Sequence, residues 1–264
     1  MKKLLASDVD GTLYVNQKIH NKSLDYIKKF REQGNIFLLC TGRNFGGVKH
    51  LFEEYDIEVD GFVLCNGAIV LDKELNTIHN TSIDDETIKA LFEEAKDNSI
   101  YNFYFADGEN LYIIDGYNSH PIISSADMTN KMNIIKIKES DFYKNSYCAN
   151  IVGIDIKDEC INKANDKKVD IEKKFSEKVS VYRNLSFIDI VPKNTSKGEG
   201  INKVLNKFGV KEDNVFVIGD SWNDLSMFEK YKNSYTFSYS EESLKVHAKN
   251  IVDNFYDCIE DAIK

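Results

Sequence analysis

Positive charge is in short supply in this 264-residue chain. Lys and Arg together number 34 against 43 Asp and Glu, a formal net charge of −9. A protein that holds a nucleic-acid polymer needs a basic footprint, so that class is set aside. An anionic membrane surface is disfavoured for the same reason. Small anions answer to local charge and stay open. Arginine is scarcer still, with only Arg31, Arg43 and Arg183, so an arginine inside a motif is notable. No apolar run approaches the ~18–20 residues of a membrane span. The start, MKKLLASDVDG, has a basic end but far less than the roughly 7–15 apolar residues of a signal peptide, and the expected location is the cytoplasm. The five cysteines form no CxxC and no Cys/His ligand spacing. Cys40 and Cys65 close the apolar runs IFLLC and FVLC, as core thiols in strands do. There is one Trp, two prolines (Pro121 and Pro192), no internal repeat and no low-complexity tract. What remains is ordinary for a globular protein, 42% hydrophobic and 29% charged, and long enough for one large core or two modest ones.

The first 80 residues alternate strand and helix patterns. KLLASDV is a short apolar run ending in acids. SLDYIKKFREQG places Leu24, Ile27 and Phe30 on one helical face and stops at Gly34. NIFLLCTG reads as a buried strand, FGGVKHLFEEY as a helix and GFVLCNGAIV as a third strand. Continuous apolar strands between amphipathic helices indicate a parallel sheet covered on both faces, a doubly wound α/β core. The middle differs. IDDETIKALFEEAKDN is a helix, NFYFADGENLYIID two strands about an Asp-Gly turn, and residues 116–148 show no period. NIVGIDI is a strand, DECINKANDKKVDIEKKF a helix and KVSVYRNLSFIDIVP a hairpin. This is the pattern of a separate α+β domain with an antiparallel sheet, ending at Pro192. The α/β pattern then resumes: a helix over TSKGEGINKVLNKFG capped by Thr195 or Ser196, the strand NVFVIGD, a helix start at SWNDLSMFEKY, a last strand SYTFSYS, and helical segments in SLKVHAK and YDCIEDAIK. The expected division is a core of residues 1–82 and 190–264 with an insertion of residues 83–189.

Ligands of open parallel sheets bind beyond the carboxyl ends of the strands. Such ends here carry Asp8-Val9-Asp10-Gly11-Thr12, Thr41-Gly42-Arg43 and Gly219-Asp220-Ser221-Trp222-Asn223-Asp224, while Lys197 heads a helix. Each has an ordinary structural use alone: acids end strands and start helices, Thr caps, Lys is solvated. Their occurrence together, in this order, points to one site. The set resembles the haloacid dehalogenase-like (HAD) superfamily, specifically the Cof-type phosphatases with an inserted α+β cap. The resemblance covers both core segments and includes the VLCNGA and IVPKNTSKG phrases.

The resemblance implies Mg²⁺-dependent hydrolysis of phosphate monoesters of small metabolites, sugar phosphates or similar. A phosphate dianion repels carboxylates, and a hard cation held by oxygen ligands removes that obstacle. Asp8 would be the nucleophile that takes the phosphoryl group and one metal ligand; Asp220 would be another, and Asp10 would add its backbone carbonyl. Asp224 belongs to the same metal group, orienting it from close by or through water. Asp10 would be general acid, then base. Amides of the turn at Val9, the Thr41 hydroxyl, the Gly42 amide, Lys197 and Asn223 would meet the phosphoryl oxygens, with Thr12 bracing the turn; Arg43 would touch substrate or pair with an acid. With Asp10 protonated, three carboxylates and a phosphate dianion total about −5 against about +3 from Mg²⁺ and Lys197, which predicts metal dependence.

The insertion would exclude water and read the leaving group. Its candidate contacts are Tyr101, Asn102, Tyr104, Tyr112, His120, Tyr182, Arg183 and Asn184, with Asp189 near the hinge. One stretch departs from the family: KYKNSYTFSYSEES replaces a small, Gly- and Ala-rich region, so the loop at Tyr239, Ser240 and Glu241 is expected to differ. Two alternatives stay open: a phosphotransferase or phosphomutase on the same scaffold, and a non-enzymatic phospho-acceptor switch, which would need neither Asp10 nor a cap.

Overall fold

A computed structural model describes residues 1–117 and 132–264. The chain divides into two compact units, residues 1–41, 51–79 and 196–264, and residues 42–50 and 80–195.

The first unit is built on an eight-stranded sheet. Its strands are β1 (Leu4–Ser7), β4 (Ile36–Cys40), β5 (Gly61–Leu64), β6 (Ile69–Asp72), β7 (Thr77–Asn80), β14 (Val215–Ile218), β15 (Asn233–Phe237) and β16 (Asn250–Val252). They run in the order β16-β15-β14-β1-β4-β5-β6-β7. All pairs from β16 to β5 are parallel, and β5–β6 is antiparallel. Side chains alternate across the sheet, so Leu4, Ala6, Ile36, Leu38 and Cys40 join one core. Helices α6 (Lys197–Phe208) and α7 (Leu225–Lys230) cover that face with Ile201, Val204, Leu205, Met227 and Phe228. Leu5, Phe37 and Leu39 are buried on the other face, where α1 (Asn21–Glu32) meets β4 and α9 (Phe255–Ile263) meets β14. This is the doubly wound core expected from continuous apolar strands.

Local sequence sets the element ends. Ser196 caps α6 by accepting from the Glu199 amide (3.1 Å), and Gly209, at φ +64°, ends it. Gly34 turns the chain out of α1. The short hairpin of β2 (Tyr14–Val15) and β3 (Lys18–Ile19) turns on Asn16 and Gln17, both at positive φ, as a two-residue hairpin requires.

The second unit holds a six-stranded sheet of β8 (Tyr101–Ala106), β9 (Asn110–Ile114), β10 (Asn133–Ile137), β11 (Ile151–Ile156), β12 (Val179–Asn184) and β13 (Phe187–Pro192), in the order β10-β9-β8-β11-β13-β12. Its core brings Phe103, Phe105, Val152, Ile154, Val181 and Ile190 from the sheet against residues of α3 (Asp85–Glu94), α4 (Glu139–Lys144) and α5 (Ile161–Phe175). The first half of α2 (Phe45–Glu54) belongs to this unit. The Asn44 side chain donates to the carbonyls of Asp107 and Asn110, and the Phe45 amide to that of Gly108.

Four expectations need correction. GFVLCNGAIV is two antiparallel strands, β5 and β6, joined by a 3₁₀ turn at Cys65–Gly67. Cys65 and Asn66 have φ of +49° and Gly67 of +100°, which break the apolar run. A Cβ on Gly67 would lie 2.1 Å from the Ser196 carbonyl oxygen, so only glycine fits there. SYTFSYS is not the last strand, because β16 follows it; three residues are too few to show a period. The stretch 116–148 is not all irregular, since β10 and α4 lie in it. The second sheet is not wholly antiparallel, because β9 and β10 pair in parallel. His120 and Pro121 lie outside the described residues.

Candidate active site

The chain leaves β1 toward β4 and β5, then returns to β14, β15 and β16 on the opposite side of β1. The strand order therefore reverses at β1, the place where open α/β sheets bind ligands. The segments following β1, β4 and β14 carry Asp8 to Thr12, Thr41, and Gly219 to Asp224.

Lys197, the first residue of α6, organises the acids. It is fully buried, and its Nζ donates to Asp8 Oδ1 and Asp224 Oδ1, both at 2.6 Å. The two carboxylates hold its ammonium well above the usual lysine range despite burial, so it stays charged. Asp224 is bonded through both oxygens, because Oδ2 accepts from the amides of Asp220 (2.9 Å) and Ser221 (3.0 Å). Asp220 Oδ1 accepts from the Thr12 hydroxyl at 2.7 Å, which ties the turn after β1 to the turn after β14. Gly11, at φ +75°, lets that tie close: a Cβ there would lie 2.4 Å from Asp220 Oδ2.

Burial sets the electrostatics. It pushes the Asp8 carboxyl well up, with Lys197 opposing and Asp224, Asp220 and Asp10 adding to the rise. It pushes Asp220 up to about 7, with Asp224 adding and Thr12 and Lys197 opposing. One ligand atom each from Asp8, Asp220 and Asp224 lies within 4.8 Å of the others. An all-oxygen donor set that is short of positive charge suits a hard divalent cation such as Mg²⁺. Asp8, Asp220 and Asp224 are the residues that could hold it, and of these Asp224 also accepts from Lys197 and two amides.

The other residues singled out from the sequence are placed as follows. Val9 is buried, and its carbonyl accepts from the amides of Thr12 and Tyr14. Asp10 is exposed on the same turn. Thr41 is buried at the end of β4, with its carbonyl bonded to the Asn66 amide (3.0 Å). Asn223 is buried and donates to Asn66 Oδ1 at 3.3 Å, while its own Oδ1 makes no hydrogen bond. Gly42 and Arg43 fall in the second unit, where Arg43 Nη1 donates to the Gly47 carbonyl at 2.7 Å. Also in that unit, Asn102 donates to the buried Asp155 (2.9 Å), Tyr112 to Asp107 (2.8 Å), Tyr182 to the Thr195 carbonyl (2.7 Å) and Arg183 to the Leu185 carbonyl (3.1 Å). Tyr104 lies across Gly153, Tyr101 is half-buried at the start of β8, Asn184 ends β12, and Asp189 is buried in β13.

One residue, Asn66, and one contact of Asp224 escaped the sequence reading. Asn66 joins the Thr41 and Asn223 segments, but its CNG string was absorbed into an apparent strand. The hold of Asp224 on the backbone was signalled by Ser221-Trp222-Asn223-Asp224, a capping-box spacing that the structure forms in part through the Ser221 amide.

The family model described as haloacid dehalogenase-like hydrolase matches residues 5–261. An uncharacterized protein of Mycoplasma capricolum subsp. capricolum is 30% identical over 97% of this chain and 99% of its own. The 5-amino-6-(5-phospho-D-ribitylamino)uracil phosphatase YwtE of Bacillus subtilis is 26% identical over 86% of this chain and 84% of its own. Among solved structures, the HAD subclass IIB sugar phosphatase BT4131 shares the fold with a TM-score of 0.82, at 21% identity over 99% of this chain and 96% of that one. Both the motif set and the doubly wound core with its α+β insertion agree with these matches. The chain belongs to the haloacid dehalogenase-like hydrolases, among the phosphatases of their Cof-type branch.

Proposed function

We propose that this protein is a Mg²⁺-dependent phosphatase that releases phosphate from small phosphorylated metabolites, sugar phosphates or similar, through an aspartyl-phosphate on Asp8. The observation that carries the reading is the buried Lys197 bonded to Asp8 and Asp224, with Asp220 joined to the same turn through Thr12. Mg²⁺, held by Asp8 and Asp220, would neutralise charge between the carboxylates and the phosphate. Lys197 fixes one Asp8 oxygen, and the other attacks phosphorus as the bond to the leaving oxygen breaks. Asp10 gives that oxygen its proton, then takes a proton from the water that attacks the aspartyl-phosphate, which frees Asp8 and inorganic phosphate. Thr41, Asn223 and the amide of Val9 are the donors assigned to the phosphoryl oxygens.

The insertion, residues 83–189, serves in this reading as the cap that selects the leaving group. A relative that acts on a phosphorylated ribityl chain supports a small polyol or sugar ester as substrate class. The acidic balance supports small metabolites over nucleic acids, and no helix among the described residues is long and apolar enough to cross a membrane. The proposed place of action is the cytoplasm.

The test is phosphate release from a panel of phosphorylated metabolites with Mg²⁺, for wild type and Asp8→Asn. Wild type should turn over a subset, and the variant should lose at least about 1,000-fold in kcat while keeping its circular dichroism spectrum. An equally active variant would exclude Asp8 as the nucleophile. An acceptor sugar added to the same assay separates release to water from transfer.

A further inference from the structure

The segment where the sequence departs from its family folds against the proposed nucleophile turn. We infer that Tyr239 is a positioning residue for this site, holding the turn that carries Asp8 at its working distance from Asp220; the inference rests on the phosphatase reading above.

The Tyr239 hydroxyl donates to the Gly11 carbonyl at 2.7 Å. That carbonyl belongs to the Gly11–Thr12 peptide. The Thr12 amide of the same peptide donates to the Val9 carbonyl (3.3 Å), the Thr12 hydroxyl to Asp220 Oδ1 (2.7 Å), and the Gly11 amide to the Tyr14 carbonyl (3.1 Å). The α-carbon of Gly11 packs so closely on the Asp220 carboxylate that no side chain fits between them. A rotation of this peptide therefore moves the acid after β14 relative to the acid after β1. Tyr239 is the contact that blocks the rotation from the carbonyl side.

The tyrosine is itself held. Its ring stacks on the buried Phe237 (centroids 4.7 Å apart, planes 11° apart). Thr236 Oγ1 donates to the Gly219 carbonyl at 2.9 Å and pairs with Ser240 Oγ at 3.0 Å. Glu241 accepts from Trp222 Nε1 at 2.9 Å. Residues 236–241 thus form a strap fixed to the Gly219–Trp222 segment, and Tyr239 reaches from it to the turn after β1. Tyr239 as a residue remains 56% exposed, so packing is a weak reason for a tyrosine here. Its hydroxyl is the better one.

Tyr239→Phe deletes the hydroxyl and keeps the stack; Tyr239→Ala deletes both. Two measurements on the full chain decide the inference: hydrogen exchange at the Thr12 amide by NMR, and steady-state hydrolysis of p-nitrophenyl phosphate with Mg²⁺. Tyr239→Phe should exchange at least about threefold faster at Thr12. Its kcat should fall about five- to tenfold, the loss of one hydrogen bond, with KM unchanged and Tm lowered by no more than about 4 °C. Unchanged exchange in Tyr239→Phe, or an unchanged kcat with loss only in Tyr239→Ala, would overturn it. Wild type inactive on every substrate would remove the phosphatase reading instead, and exchange at Thr12 would still show whether Tyr239 holds the turn.

Discussion

At the scale of single residues the site is a problem of charge in little space. Lys197 sits between two carboxylates with no exposed surface. Removing one partner of such a group strands the others, at about 3–5 kcal/mol. Lys197→Met should lose that much in urea unfolding and lose activity with it. A loss under about 1 kcal/mol would mean the carboxylates do not depend on this ammonium. Gly11 is constrained differently. Gly11→Ala would put a methyl against Asp220 and hold a β-carbon at φ +75°, a region that costs roughly 1–2 kcal/mol outside glycine. The expected result is at least a tenfold fall in kcat with a small fall in Tm, and full activity would show that the turn has slack. Asp8, Asp10, Thr41, Lys197, Asp220 and Asp224 could be named from the sequence because acid, hydroxyl and lysine sit at strand ends and a helix head in a recognisable order. Asn66 could not. Its amide and side chain reach Thr41 and Asn223 only because its backbone is at positive φ, and no side-chain pattern announces that.

At the scale of elements, the β6–β7 hairpin shows how a connection is secured away from the site. Asp72 accepts from the amides of Glu74 and Asn76, from the Asn76 side chain and from Lys207 of α6. Lys207 above all, with Asn76, lowers the Asp72 carboxyl to about 2. An unfolded chain binds this proton near 3.8, so the contribution is present above that pH and is lost as pH falls through about 2. Asp72→Asn should lower the urea midpoint at pH 7, and the gap from wild type should narrow between pH 4 and pH 2. A gap independent of pH would assign the effect to hydrogen bonding alone. Elements were legible where the period was long, as in α1 and α6. They were missed where they were short, as in β16, or where positive φ broke an apolar run, as between β5 and β6.

At the scale of the whole molecule, the proposed Mg²⁺ would compete with a proton. Burial and Asp224 raise Asp220 to about 7, so the metal-free native state keeps a proton that the unfolded chain releases near 3.8. Between those values the native state binds more protons, and its contribution to stability falls as pH rises through the window. In the proposed function, Mg²⁺ held by Asp220 would have to displace that proton. MgCl₂ should therefore raise Tm more at pH 8 than at pH 5.5, and a chelator should abolish both the rise and the activity. Equal rises at the two pH values would show that Asp220 takes no part in holding the ion.

The sequence carries the order of the motifs, the apolar strands and the amphipathic helices, because these rest on local spacing and residue type. It determined the family for the same reason. Tertiary structure alone brings Asp224 to Lys197, Thr12 to Asp220, and Tyr239 to Gly11. Each of those contacts joins segments that chain order leaves far apart, and the distance between them is set by how β1, β14 and β15 pair.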